Sequence, residues 1–578
     1  MSLTAALNIG RSALGASQIG IQVAGNNVAN VATPGYSRQV ANLSPIGGSD
    51  PYSRLSAGRG VGVSDVRRQI DAALQSRLWM STADRSAARQ QLDLMTQVES
   101  VLGELSGNDL SSELSAFFNA WSERANNTQS SATVVQQGDK LAGMLQRLRS
   151  SLTTVRAQID RQLSGAVTAA DGLLDQVASL NAAISAAETS GGSANALRDQ
   201  RDQVVSKLSE LLDVSVIERQ NGAVDVLVGS TPVVLAGVSR GIHLRSVGAG
   251  ASTEMVVALR ADGEPLPATG GSIAGLIGSR RTTVDGTIRQ LDAVASQLIF
   301  QVNRLHSTGA NLSNLSGATG SLSIPASDRG LAMNDPGNRA FSSLPFAATH
   351  GSFTVRVKNT ADGSFQSVRV NVDLDGVGPG GVLTTAHDTS AEDIRAAIDG
   401  ITGLSASFSP EGRLVVRAAS GFEFSFEDDT SSALAVLGVN SYFTGVNGSD
   451  IAVRDDLKSN PSGLMSGRMT AGGLVENANA MAIVGLQDAS NDVLGGRSIR
   501  QGWIDAVQEV GIRTSSAESR TLALGVVQES LEAQRASISG VSIDEEALNL
   551  MNFQRQYQGA ARVISVADQL MQTLMSLV

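Results

Sequence analysis

The sequence contains no cysteine among its 578 residues. That excludes disulfides, thiolate nucleophiles and zinc–thiolate centres. Histidine is scarce: His243, His306, His350 and His387 lie far apart, and none has a second ligand three to five residues on. No metal site and no cofactor is therefore expected. Lysine is nearly absent too, with Lys140, Lys207, Lys358 and Lys458 against a positive charge otherwise carried by arginine. The formal net charge of -11 argues against nucleic acid as a partner, because phosphate binding needs clustered positive charge. No run of 18 apolar residues occurs, so membrane insertion is not expected. The first 30 residues also lack the continuous apolar segment of a secretory signal, since Asn8, Arg11 and Ser12 interrupt Leu3, Leu7, Ile9 and Leu14. By these absences alone the protein would be cytosolic.

What the chain does have is enough apolar residue, 42%, to fold and enough charge, 17%, to stay soluble. Its length exceeds what one core serves, so several domains are expected. The cleanest periodicity lies at the two ends. Leu7, Leu14, Ile21 and Val28 recur every seven residues, and Leu3, Gly10, Ser17, Ala24 and Val31 form a second row offset by four. At the far end Ile543, Leu550, Tyr557, Ile564, Met571 and Val578 make another row, with Phe553, Ala560, Ala567 and Leu574 beside it. These rows predict two amphipathic helices with coiled-coil-type seams. Each could be an ordinary core helix. Their place at the extreme ends, and the small residues Gly10, Ser17 and Ala24, favour seams that complete each other or a neighbouring subunit.

Pro34 disfavours helix at Thr33, so the first helix is expected to stop near Ala32. Asn42 through Gly62, rich in Gly, Pro and Ser, reads as an irregular loop. Helical patterning from about Ser64 to Leu212 follows, with a break at Gly191-Gly192-Ser193. Its strongest stretch is Leu197–Leu212, where Leu197, Val204, Leu208 and Leu211 share a face and Asp199 and Asp202 favour the helix dipole. Val214-Ser-Val-Ile-Glu, Val224-Asp-Val-Leu-Val and Pro232-Val-Val-Leu then read as strands with Asn221-Gly222 as a turn. A helix from about Ser279 to His306 leads into a Gly/Ser/Asn-rich linker, Ser307 to Ser323. Residues from about 340 to 445 read as an inserted β-rich domain. It holds alternating strands, a helix capped by Ser390 with Asp393 three residues on, and a turn at Ser409-Pro-Glu-Gly412. From about Leu474 helix is expected to the end.

Catalytic patterns are wanting. Asp373-Leu-Asp-Gly376 invites a calcium loop, but position twelve counted from Asp373 is Thr384, where a closing acid would stand, so a glycine-rich hairpin turn is the better reading. Asp428-Asp429 and Glu545-Glu546 are neighbours whose side chains diverge, and read as solvated surface. No serine, histidine and acid arrangement carries a local signature. An enzyme is not expected.

The stretch Asn26-Asn-Val-Ala-Asn-Val-Ala-Thr-Pro-Gly-Tyr-Ser-Arg-Gln39 closely resembles the N-terminal signature of the flagellar axial family, the rod, hook and hook-associated proteins. Thr33–Gln39 is similar to the version in the hook-associated members at the hook–filament junction. Ser539-Gly-Val-Ser-Ile-Asp-Glu-Glu546, Asn552-Phe-Gln-Arg-Gln-Tyr557, Ala561-Arg-Val-Ile-Ser565 and the helix from Leu197 to Val214 resemble the same group, in the same order.

The resemblance implies a structural polymer subunit of the bacterial flagellum. Its fold would be α+β and multidomain, with a discontinuous terminal-helix coiled coil, a helical bundle and inserted β-rich domains. Residues 1–50 and 535–578 would form the inner-tube domain. Residues 51–310 and 446–534 would form the bundle, with a small β-rich part at about 213–278, and residues 311–445 the outer insert. The resemblance also implies type III export without a cleaved signal and an extracellular place in the flagellum, which the lack of cysteine suits. Its partners would be further copies of itself, the hook protein, the second junction protein next to the filament, a cytosolic export chaperone and the export apparatus. The assembly residues would be Leu7, Leu14, Ile21, Asn26, Asn27, Val28, Asn30, Pro34, Gly35 and Tyr36 at one end. At the other, Ile543, Leu550, Phe553, Tyr557, Ile564, Met571 and Leu574 would serve assembly and chaperone binding. Asn26, Asn27 and Asn30 could bridge backbones or simply end the helix; Tyr36 could pack on a neighbour or on its own loop. Another axial rod or hook subunit, or a secreted adhesin-like protein with a binding insert, are the alternative readings.

Overall fold

The computed structural model describes residues 3–47, 58–103, 107, 109–127, 129–189, 192–248, 254–311, 314–470 and 473–576. In chain order the α-helices among them are α1 (Leu3–Ala29), α2 (Ala72–Leu102), α3 (Leu110–Asn126), α4 (Ser131–Glu188), α5 (Asn195–Leu211), α6 (Gly271–Gly278), α7 (Asp285–Ser307), α8 (Arg339–Ser342), α9 (Ala391–Asp399), α10 (Ala433–Leu437), α11 (Asp455–Ser459), α12 (Ala478–Gly485), α13 (Ile499–Ser539) and α14 (Ile543–Ser576). Helix dominates and strands occur in small antiparallel sheets, an α+β architecture in which long helices alternate with β-rich inserts. The chain divides into two compact units, residues 1–94, 158–281 and 514–578, and residues 95–157 and 282–513.

In the first unit α1 and α14 pack along each other. α1 ends at Ala29, before the expected Ala32, and the chain leaves through a turn. The strands Gln39–Pro45 and Val61–Arg68 then pair antiparallel, with a register shift between Asn42 and Leu43. This corrects two expectations: the ends of the supposed loop Asn42–Gly62 belong to a hairpin, and helix begins at Ala72 rather than near Ser64. Polar residues and glycine hide this strand pair because one face of it carries Asn, Ser and Asp. The middle of that loop, residues 48–57, lies outside the described residues, as do Gly191 of the expected break and Val578 of the last row.

The core of this unit draws on Ile159, Leu163, Val167, Leu174, Val177 and Ile184 of α4, spaced by three, four and seven as a buried helical stripe requires. The strands Val214–Glu218, Val224–Val228, Thr231–Leu235 and Val238–Ser239 form a meander, and Ile242–Val247 pairs with Glu254–Leu259. The Asn221-Gly222 turn is held from below. Arg201, almost fully buried, donates from Nη1 to the Gly222 carbonyl at 2.6 Å, and Asn181 exchanges two hydrogen bonds with the backbone of Val224.

In the second unit Phe117, Phe118 and Trp121 of α3 cluster with Tyr442 and Phe443, with ring centroids 4.6–6.3 Å apart. Buried edge-to-face pairs of this kind add roughly 0.5–1.5 kcal/mol each beyond their area. The β-rich part has two three-stranded sheets. One orders Phe365–Val372, Gly351–Asn359 and Phe422–Glu427; the other orders Leu404–Phe408, Leu414–Ala418 and Gly317–Thr319. Phe353, Val355, Ile394, Ile398, Val416, Phe424 and Phe426 lie in their shared core. Ser390 and Asp393 make both hydrogen bonds of a capping box at α9. The expected linker Ser307–Ser323 is instead sewn in over its described part. Ala310 bridges to Gly467, Leu315 to Phe424, and Gly317–Thr319 is an edge strand; residues 312–313 lie outside the description. Helix precedes the expected Ser279 start as α6, and passes to α7 through a π turn at Ser279–Val284. Gly473–Val475 is a strand, and the long C-terminal helices begin at Ile499, not Leu474, and are interrupted at residues 540–542 between α13 and α14.

A candidate assembly site where the two ends of the chain meet

The contact between α1 and α14 is made through small side chains. α1 buries Gly10, Ala16, Ser17, Gly20 and Ala24, and α14 buries Ala560 and Ala567. A Cβ on Gly10 would lie 2.7 Å from Ile564 Cγ1, and one on Gly20 would lie 2.6 Å from the Phe553 ring. Gly10 meets Ile564 while Gly20 meets Phe553, so the helices run antiparallel. Of the two N-terminal rows, the small one forms the seam, because only side chains that short permit this approach. Leu7, Leu14, Ile21 and Val28 flank it, half-buried. On α14 Leu550, Phe553, Ile564 and Met571 are half-buried, whereas Ile543, Tyr557 and Leu574 are exposed. Each terminal helix thus has a partner within its own chain.

The remaining apolar residues of α14 face outward. Val563, Val566, Leu570 and Leu574, at spacings of three, four and four, share one face and are each about half exposed, 48–55%. Leu548, Met551 and Met575 are exposed as well.

Beyond α1 the signature stretch is pinned by three elements. Asn27, with no exposed surface, donates from Nδ2 to the Gln39 carbonyl at 2.9 Å, and its Oδ1 accepts from the Gln39 amide at 3.0 Å and from the Tyr36 hydroxyl at 2.8 Å. Asn26 Nδ2 donates to the same hydroxyl at 3.2 Å, and Asn30 Nδ2 donates back to Asn26. Asparagine here does more than end the helix: it replaces a strand partner for Gln39 and fixes the return of the chain. Tyr36 therefore packs on its own loop. Burial first, then the carboxylates of Asp199 and Glu546, push its phenol up to about 12. At Gly35, φ is +78°, and Gln203 fills the place of a side chain while its Nε2 donates to the Pro34 carbonyl at 2.6 Å.

Charged residues complete the clamp. Arg38 pairs with Glu546 at 2.7 Å and Glu545 at 3.0 Å, and its amide donates to the Ser539 carbonyl. Arg68 Nη1 pairs with Asp199 at 2.8 Å and Asp202 at 2.7 Å, and Asp199 also faces the Ser37 amide at 3.4 Å. Glu546, read as solvated surface, is in fact buried at 2% exposure, because it neutralises a half-buried arginine. Asp199 and Asp202, read as helix-dipole residues, tie α5 to the signature loop. Sequence reasoning missed Arg68, Asp199, Asp202, Gln203 and Glu546 as site residues. The one available signal was that all but Arg68 stand in stretches quoted for the resemblance.

His350, Asp373 and Asp375, in the second unit, are the described residues that bring three potential metal ligands within 4.8 Å of one another. All three are exposed, and Asp373 already accepts from His350. The hairpin expected there is present, Val377–Gly378 pairing with Val382–Leu383.

Comparison with known proteins places these features. The family model described as the flagellar hook-associated protein FlgK helical domain matches residues 95–321. Models described as flagella basal body rod protein and as flagellar basal body rod FlgEFG protein C-terminal match residues 7–36 and 532–577. Flagellar hook-associated protein 1 of Escherichia coli is 25% identical, that of Salmonella typhimurium 25%, each over 100% of both chains, and that of Bacillus subtilis 24% over 98% of this chain and 96% of its own. Over its full length the chain is similar to proteins named flagellar hook-associated protein 1. The insert, for which sequence reading found no motif, matches the flagellin hook IN motif over residues 371–420. A solved flagellar hook junction protein from Burkholderia pseudomallei is similar with a TM-score of 0.48 and 16% identity, covering 80% of this chain and 100% of that one. The two basal-body-rod matches fall on the two helices that pair in the first unit.

Proposed function

We propose that this chain is a structural subunit, not an enzyme, that joins the hook of the bacterial flagellum to its filament and assembles through its terminal helices. The observation that carries the reading is the α1–α14 pair. It satisfies its small-residue seam internally yet leaves a row of large apolar side chains, Val563, Val566, Leu570 and Leu574, without cover. An apolar row of this kind is stabilised by burial against another subunit, at about 25 cal/mol per Å² removed from water. Residues 1–50 with 535–578 serve as the inner-tube part, residues 51–310 with 446–534 as the bundle, and residues 311–445 as the outer insert.

The signature residues Asn26, Asn27, Asn30, Pro34, Gly35 and Tyr36 act by fixing the angle at which the chain leaves α1. The outward residues of α14, together with Leu7, Leu14, Ile21 and Val28, meet neighbouring subunits and, before export, the chaperone. Hook protein and the second junction protein flank the subunit, and the type III apparatus exports it to an extracellular position without a cleaved signal. A flagellin hook motif in the insert favours this reading over an adhesin.

The test is deletion and complementation. Cells lacking the protein should keep hooks, release flagellin into the medium and not swim. Complementation with Leu570→Asp should leave export intact and motility lost, because an unpaired carboxylate is costly to bury. Absence of hooks in the deletion would move the protein into the rod or hook. Normal swimming of the deletion strain would end the structural reading.

A further inference from the structure

The second unit holds a cleft of about 650 Å³ whose lining includes Arg124, Ser131, Arg454, Asp456 and Glu476. Two independent features of it point to an anion. The first is the N-terminus of α4, the longest helix. α4 begins at Ser131 in the lining and carries no acidic residue in its first turn. The first amides of a helix have no intrahelical acceptor and carry the positive end of its dipole.

The second feature is Arg124, near the end of α3 and 8% exposed. Its Nε donates to Ser131 Oγ at 3.0 Å, and among the described residues its buried Nη1 has no hydrogen-bond partner. Burial lowers its pKa, opposed by the charge of Glu476. A buried cation without a counter-ion is among the costlier arrangements in a protein. The other charges nearby are already engaged: Asp456 takes Nε and Nη2 of Arg454, and exposed Glu123 accepts from Ser130. His306 uses both ring nitrogens, towards Asn440 and Met465, and adds no charge to the cleft.

We propose that this cleft binds a small organic carboxylate, held by the Arg124 guanidinium and the first amides of α4, with Arg454 at its edge. The anion supplies the counter-charge that the fold withholds from Arg124. Helix N-termini and guanidinium forks both recognise oxyanions. The volume exceeds that of a bare inorganic ion and lies within the range of roughly 300–1,000 Å³ typical of small-molecule sites. Nothing in the junction role requires this cleft, so the proposal stands or falls separately from that reading.

The test is calorimetric titration of the full-length chain with citrate, and separately with inorganic phosphate, at constant ionic strength. Saturable citrate binding with a Kd of about 1 mM or tighter is expected, with phosphate weaker. Arg124→Gln should weaken citrate at least about tenfold. Arg124→Lys keeps the charge and loses the planar fork; it should fall between and serves if the glutamine variant does not fold. No saturable heat from citrate in the wild-type chain overturns the proposal. So does citrate binding that is unchanged in both variants, or phosphate binding as tight as citrate.

Discussion

Replacing Asn27 by alanine should open the start of the Gln39–Pro45 strand without unfolding the rest. The side chain makes three hydrogen bonds, two of them with the backbone of Gln39, and it has no exposed surface. Net contributions of about 0.5–1.5 kcal/mol per bond, plus the penalty for a buried amide and carbonyl left unpaired, put the local cost at about 2–4 kcal/mol. Each 1.4 kcal/mol is tenfold, so the Gln39 amide should exchange with deuterium some ~30- to 1,000-fold faster. Exchange at single amides is the right measurement because a chain of two units has no single unfolding free energy. Asn27→Asp is a sharper probe. It keeps the acceptor for Gln39 and Tyr36, loses the donor, and adds a charge near Asp199 and Glu546, whose carboxylates already act on Tyr36. It should open the strand at neutral pH and recover in part under acid conditions. If Gln39 exchanges at the wild-type rate in Asn27→Ala, the asparagine is not the clasp described here.

Gly20→Val should cost about 1–3 kcal/mol, since the added atoms meet the Phe553 ring. Gly15→Ala, on the open face of the same helix with nothing within 4 Å, should gain about 0.5–1 kcal/mol, and amide exchange along α1 separates the two outcomes. The buried ring of His306 has its pKa pushed down from 6.5 to about 4, mainly by burial. Its folded value lies below its unfolded one, so stability is fully present above pH 6.5 and is lost as pH falls towards 4. The amount is on the order of 3 kcal/mol. Denaturant titrations of the second unit, followed at buried Trp121 and Trp503, should show this acid loss in the wild-type chain and a smaller one in His306→Gln. An equal loss in both would remove His306 as its source.

Much of the fold is written locally. The helical rows at both ends, the Asn221-Gly222 turn, the capping box at Ser390 and the strands around Phe353 and Leu414 follow from spacing and turn chemistry. Such features are decided within a few residues, so a sequence can declare them. The stretch Asn26–Gln39 likewise stands out in the sequence as a signature like that of flagellar axial proteins.

Which side of each terminal helix is used could not be decided that way. The sequence offers two rows for the seam, the large Leu7, Leu14, Ile21 and Val28 and the small row with Gly10, Ser17 and Ala24. The structure chooses Gly10, Ser17, Gly20 and Ala24 because Phe553 and Ile564 need the space that glycine and alanine leave. Glu546 looks like surface charge and Asp199 like a helix-dipole residue, and both are buried because Arg38 arrives from 508 residues away and Arg68 from 131. Strand pairing of Gly317–Thr319 with Leu414–Ala418 also joins distant segments. The sequence by itself determined the periodic elements, their turns and the signature stretch Asn26–Gln39, since these depend on neighbours along the chain. The tertiary structure alone decided the seam, the burial of the charges and the joining of three distant motifs into one clasp, since those depend on which segments share a surface.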